Sequence, residues 1–69
     1  MTESRVEELA KEETRKFYPR LEEDEPVRFS AIVRAITKTI VDDYALEDIR
    51  EDETVRALLV EDLKNMFEK

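Results

Sequence analysis

The 69-residue sequence contains no cysteine, histidine, tryptophan or glycine. Without cysteine there is no disulfide scaffold, and without cysteine and histidine there is neither a zinc module nor a Cys- or His-based catalytic system. The lack of glycine excludes a glycine-rich phosphate loop and the usual glycine-capped helix end. Paired carboxylates need a buried cleft to act as acid and base, and a chain this short has little room for one. We therefore predict a protein that is not an enzyme and binds no cofactor.

Basic residues are outnumbered, with 12 Lys and Arg against 19 Asp and Glu, and the formal net charge is −7. The electrostatic field of a protein with this negative net charge repels nucleic acids and anionic lipids on average. No apolar run approaches the length of a membrane span, and the first residues lack the basic and apolar regions of a signal peptide. These features predict a cytoplasmic protein with no membrane partner.

The chain is short enough for one small domain over residues 1–69, with a correspondingly small core. Its first predicted helix covers about residues 4–18. Ser4 and Glu7 have the spacing of a capping box at the start of this helix. Pro19 disfavours helical geometry at Tyr18 and is expected to end it. The acidic segment 22–25 that follows is predicted to be a solvated turn.

The second predicted helix covers about residues 26–45 and carries the clearest pattern in the chain. Pro26 suits a first helical position because its missing N–H has no helical partner there. Many β-branched residues between 32 and 41 also favour a strand. In a strand, however, Arg34 and Lys38 would point to the same face as the isoleucines, so the helix fits better. The apolar stripe consists of Phe29, Ile32, Val33, Ile36, Ile40 and Tyr44.

The third predicted helix covers about residues 53–67, with Asp52 as its expected N-cap. Leu46 and Ile49, three residues apart, suggest a short helical turn before it. Together the three amphipathic helices predict an all-α fold, a small three-helix bundle completed by dimerisation. The predicted core consists of Leu9, Phe17, Phe29, Ile32, Val33, Ile36, Ile40, Leu59, Leu63 and Phe67.

The acidic segment 42–53 holds seven Asp or Glu residues in twelve. It does not match a calcium-binding loop in any register, because such a loop needs acids at alternate positions and a glycine in the middle. A solvated capping region is the simpler interpretation. Weak, nonspecific cation binding stays open as an alternative.

The second predicted helix also presents a face opposite its apolar stripe. Small side chains four residues apart on a helix let another backbone approach closely. This pattern predicts a contact surface for a second copy of the chain or for a helix of another protein, and its candidate residues are Val27, Ala31, Arg34, Ala35, Lys38 and Val41. Like charges at Arg34 and Lys38 are costly if they meet across a two-fold axis. The contact therefore requires that acids such as Asp42 reach them or that both bases lie at the rim.

The same helix offers a second hypothesis, because no acid lies between Pro26 and Val41. Arg28, Arg34 and Lys38 are the residues that would contact phosphates in a nucleic-acid-binding regulator. The acids on both sides of this segment and in the third helix oppose that interpretation. The sequence thus favours a small protein–protein interaction or assembly module, working as a homodimer or with another protein, and nucleic-acid binding is the alternative.

Overall fold

A computed structural model describes residues 1–67 of the chain, and within that range it contains helices and no strand. The prediction of a small all-α bundle is therefore confirmed. A 3-10 turn at Leu46–Asp48 stands where a short helical turn was expected. The helices are α1 (Glu3–Phe17), α2 (Leu21–Asp24), α3 (Pro26–Asp43) and α4 (Asp52–Phe67).

The start of α1 differs from the predicted capping box. Thr2 is the N-cap, with extended backbone, and its hydroxyl accepts a hydrogen bond of 3.2 Å from the Arg5 N–H. Ser4 already lies inside the first turn, where its hydroxyl can no longer cap the helix. The prediction for Ser4 was wrong because a second hydroxyl two residues earlier takes the same role.

The long helices α1 and α3 end at tyrosines rather than at glycines. Tyr18 and Tyr44 have extended or irregular backbone, and their N–H groups still donate to the carbonyls of Thr14 and Ile40 at 2.9 and 3.0 Å. No residue between 1 and 67 has a positive φ. Helix α3 thus stops at Asp43, two residues before the limit predicted from the sequence.

Helices α1 and α3 run antiparallel, as contacts at their two ends show. At one end the Arg15 guanidinium lies over the Phe29 ring, 5.7 Å from its centroid. At the other end the amino group of Met1 donates to the carbonyls of Leu46 and Ile49, at 2.8 and 3.1 Å. Helix α4 packs against both. The two helices therefore form a pair that α4 covers on one side.

The core is formed by the apolar stripes of α1, α3 and α4. Eight of the ten predicted core positions are buried, and Val6, Ala10 and Val55 join them. The side chain of Phe67 lies outside the described part of the structure. The confirmed predictions are Leu9, Phe29, Ile32, Val33, Ile36, Ile40, Leu59 and Leu63.

Phe17 was predicted to be in the core but is 38% exposed. Its ring lies near that of Tyr18, with centroids 6.3 Å apart, at the end of α1. Leu21 packs against the core from the following segment instead. The segment after α1 thus places Leu21 rather than Phe17 against the core.

The acidic segment 22–25 is not a simple solvated turn, because residues 21–24 form the short helix α2. Glu22 accepts two hydrogen bonds from Arg15, at 2.9 and 3.0 Å, in a bidentate pair. This hydrogen bonding lowers the pKa of Glu22. Arg15 thus joins α1 both to α2, through Glu22, and to α3, through the ring of Phe29.

Arg5 of α1 and Arg56 of α4 each form an ion pair that connects these two helices. Arg5 binds the carboxylate of Asp52 through Nε and Nη2 and also pairs with Glu8 at 3.0 Å. The hydrogen bond from Arg5 lowers the pKa of Asp52. Asp52 is the first residue of α4 rather than the residue before it, so the helix begins one residue earlier than predicted and Asp52 is not its N-cap. Its carboxylate forms an ion pair with Arg5 of α1 and lies near the positive end of the α4 dipole.

Whereas Asp52 lies beside an arginine, Asp62 on α4 lies near other carboxylates. Its Oδ2 is buried and accepts no hydrogen bond within the described residues. Burial raises the pKa of Asp62, and the nearby carboxylates of Asp43 and Glu61 raise it further. A carboxylate with a raised pKa in the folded state opposes folding at neutral pH, and protonation removes that opposition.

The substitution Asp62→Asn is therefore expected to raise the free energy of unfolding at neutral pH, by up to about 1 kcal/mol. The gain should shrink as the pH falls through the raised pKa, because wild-type Asp62 is then protonated as well. Urea unfolding at pH 7 and in mild acid measures both effects. Asp48→Asn, in the exposed 3-10 turn, is the control. A gain that is equal at both pH values would contradict this explanation.

Candidate protein–protein interface

The candidate surface is the side of α3 that faces away from the bundle. Phe29, Ile32, Val33, Ile36 and Ile40 point inward because they recur at three- and four-residue intervals. Thr37 is also buried, and its hydroxyl donates to the Val33 carbonyl at 2.7 Å. The opposite side, here called the outer face of α3, carries Val27, Ala31, Arg34, Ala35, Lys38 and Val41.

The outer face is open to solvent over most of its length. Val27 is 84% exposed, more than any other large apolar side chain in the described part of the chain. Ala31, Arg34, Ala35 and Lys38 are exposed as well, and only Val41 is partly covered. Helices α1 and α4 thus cover the inward stripe of α3 and leave this second row of apolar atoms in contact with water.

The charges on α3 are mostly unpaired. Within residues 1–67, Arg34, Lys38 and Asp42 make no ion pair, although the helices around them contain several. Arg28 lies 3.6 Å from Glu25, and both side chains are more than half exposed. Such an exposed pair contributes little and exchanges readily. The outer face therefore combines small apolar side chains with charges that are available to a partner.

A groove of about 630 Å³ runs between α1 and the outer face of α3. Its floor includes Phe29 and Val33, which are buried core residues. The wall contributed by α1 consists of Glu3, Glu7 and Lys11. The wall contributed by α3 includes Arg34, Lys38, Val41 and Asp42.

The acidic part of this wall was not found by sequence reasoning. Glu3 and Glu7 have ordinary surface positions in α1, and nothing local indicates that they would line a groove with bases of α3. A second, shallower hollow lies at the start of α3 and is lined by Pro26, Val27, Ser30, Ala31 and Arg34. Arg34 borders both depressions and separates them.

The three residues of the nucleic-acid hypothesis do not form a single basic patch. Arg28 lies beside Glu25, whereas Arg34 and Lys38 line the groove that also contains Glu3 and Glu7. Phosphates approaching Arg34 and Lys38 would meet these carboxylates. The bases of this hypothesis are therefore interspersed with acids.

The acidic segment 42–53 is spread over three elements, the end of α3, the 3-10 turn and the start of α4. Asp52 is used by Arg5, while Asp42 lies on the groove wall. Among the described residues no three acids come together in a way that would hold a metal ion. In the same range, no helix has the length and apolar character that crossing a membrane requires.

Comparison with known proteins gives no further guide, because no family model, curated protein or solved structure matches this chain.

Proposed function

We propose that this protein is a non-enzymatic interaction module that self-associates as a two-fold dimer through the outer face of α3. The observation that supports the proposal best is the exposure of Val27, Ala31 and Ala35 on a helix whose other side is already buried. An isologous contact would bury this face against its own copy. Small domains with limited cores commonly gain stability in this way.

The positions of Arg34 and Lys38 are compatible with such a dimer. Both bases border the groove toward α1, which neither Ala31 nor Ala35 lines. In a contact centred on the alanines they lie at the rim, where water still solvates them. The cost of placing like charges across the two-fold axis is then small.

Sedimentation equilibrium at tens of micromolar protein tests the dimer. We expect a mass near twice that of the 8.2 kDa chain, about 16 kDa. In the variant Ala35→Glu the mass should fall toward that of the monomer, because two carboxylates would be buried next to each other. A wild-type mass near 8 kDa at this concentration would refute the proposal.

Ala57→Glu is the matched control, since Ala57 is an exposed helical alanine of α4 and the substitution changes the net charge equally. This variant should sediment as wild type does. If both variants dissociate equally, net charge rather than the outer face of α3 controls association.

A nucleic-acid-binding regulator is the second candidate, and the unpaired Arg34 and Lys38 are the observation in its favour. It ranks below self-association because Glu3, Glu7 and Glu25 lie next to the bases it needs. Salt-dependent binding of duplex DNA that is lost in the variant Arg34→Glu, Lys38→Glu would reverse this order.

A further inference from the structure

Two exposed residues of opposite charge flank the outer face of α3. Arg28 stands seven residues before Ala35, and Asp42 stands seven residues after it. Residues seven apart are separated by nearly two full turns and so lie along almost the same line of a helix. All three side chains are exposed. One line of α3 thus carries a cation, a small residue and an anion in order.

This arrangement is self-complementary under a two-fold axis. If the axis passes beside Ala35, perpendicular to α3, each position before Ala35 faces the equally distant position after it in the second copy. Arg28 then faces Asp42 of the other chain, and the pair occurs twice. Ala31 faces Thr39 of the second copy, so the positions four residues before and after Ala35 both carry small side chains.

The groups of this pair are free to exchange partners. Asp42 makes no ion pair within residues 1–67, and Arg28 has only the exposed 3.6 Å contact with Glu25. A contact between copies would surround Arg28 and Asp42 with protein on one side. Charge pairs at interfaces contribute mainly to the choice of partner and orientation.

We infer that the occupant of the outer face of α3 is a second copy in antiparallel orientation, with Arg28 of each chain paired to Asp42 of the other. This inference rests on the proposed dimer and adds its register. A parallel pairing would instead place Arg28 against Arg28 and Asp42 against Asp42, which like-charge repulsion disfavours.

Charge reversal tests the register. Arg28→Asp and Asp42→Arg should each weaken self-association at least tenfold, roughly, because each homodimer then contains two like-charged pairs. An equimolar mixture of the two variants should recover a dimer of about 16 kDa, since both of its pairs are again opposite in charge. Native mass spectrometry identifies this species as a heterodimer, because the two chains differ in mass.

Both variants should fold, because an acid near the first turn of α3 and a base near its last turn suit the helix dipole. Far-UV circular dichroism checks this. The double variant Arg28→Asp, Asp42→Arg restores both pairs within one sequence and should dimerise alone. Arg20→Asp makes the same change of charge at an exposed arginine outside α3 and should have no effect.

The outcomes separate the two proposals. If the wild type is monomeric, the proposed function fails and the register fails with it. If the wild type dimerises and Ala35→Glu does not, but both charge-reversed variants dimerise as wild type does, the interface stands and this register is wrong. Failure of the mixture to recover the heterodimer overturns the register in the same way.

Discussion

Ile36→Ala is expected to lower the free energy of unfolding by about 2–5 kcal/mol. Ile36 is fully buried at the centre of α3, among side chains contributed by α1 and α4. The substitution removes three carbon atoms and leaves a cavity that three packed helices cannot close. In a domain of this size such a loss is comparable to the whole stability.

Urea and thermal unfolding at a protein concentration low enough for the chain to be monomeric measure this loss, since the stability of a dimer depends on concentration. If Ile36→Ala does not fold, Ile36→Val provides the same comparison with an expected cost of about 0.5–1.5 kcal/mol. Val27→Ala is the control on the other side of α3. Because Val27 is 84% exposed, it should change monomer stability by less than about 0.5 kcal/mol. Equal losses at positions 36 and 27 would contradict the described packing.

The second large loss of stability is expected on substitution of Arg56, a residue of α4 whose side chain reaches α1. Its guanidinium is 3.5 Å from the Glu12 carboxylate and 3.8 Å from that of Glu13. The side chain of Glu13 is only 7% exposed, and its Oε2 accepts no hydrogen bond in the described structure. Lys16, 3.0 Å away but largely exposed, is its other cationic neighbour.

Arg56→Met should therefore lower the free energy of unfolding by about 1–3 kcal/mol, because a nearly buried carboxylate loses one of its two cations. The double variant Arg56→Met, Glu13→Leu removes the carboxylate as well and should recover most of the loss. Urea unfolding of both variants and of Glu13→Leu alone completes the thermodynamic cycle. If the double variant is less stable than Arg56→Met, burial of the Glu13 charge is not the cause.

The acidic residues of the chain contribute to folding stability with opposite signs at different sites. Glu22 and Asp52 have lowered pKa values because arginines donate hydrogen bonds to them, so their contribution is lost as the pH falls. Asp62 has a raised pKa, and its unfavourable contribution disappears over the acidic range. Lowering the pH therefore weakens the pairs Arg15–Glu22 and Arg5–Asp52, each of which is partly exposed and contributes little by itself.

Much of the fold could be predicted because its signals are local. The three- and four-residue spacing of apolar side chains in α3 requires a helix, and Pro26 and Pro19 place helix boundaries through their own backbone geometry. The same spacing identifies the inward side of each helix, which is why Leu9, Ile36 and Leu59 were placed in the core. The exposed side of α3 follows from the same periodicity.

The remaining features depend on which segments meet. Phe17 and Leu21 are both apolar and near the end of α1, and only the path of α2 decides that Leu21 is covered and Phe17 is left at the surface. Asp52, which binds Arg5, and Glu12, which binds Arg56, are each more than forty residues away from the arginine, so no spacing rule indicates these pairs.

The candidate interface also has some features that the sequence predicts and others that depend on how the helices pack. Periodicity alone places Val27, Ala31 and Ala35 on one side of α3, because side-chain direction in a helix is a local property. That Glu3 and Glu7 form the acidic wall beside Arg34 and Lys38 depends on the antiparallel packing of α1 against α3. Charge acts through space rather than along the chain, so the electrostatic environment of the outer face was decided only by the tertiary structure.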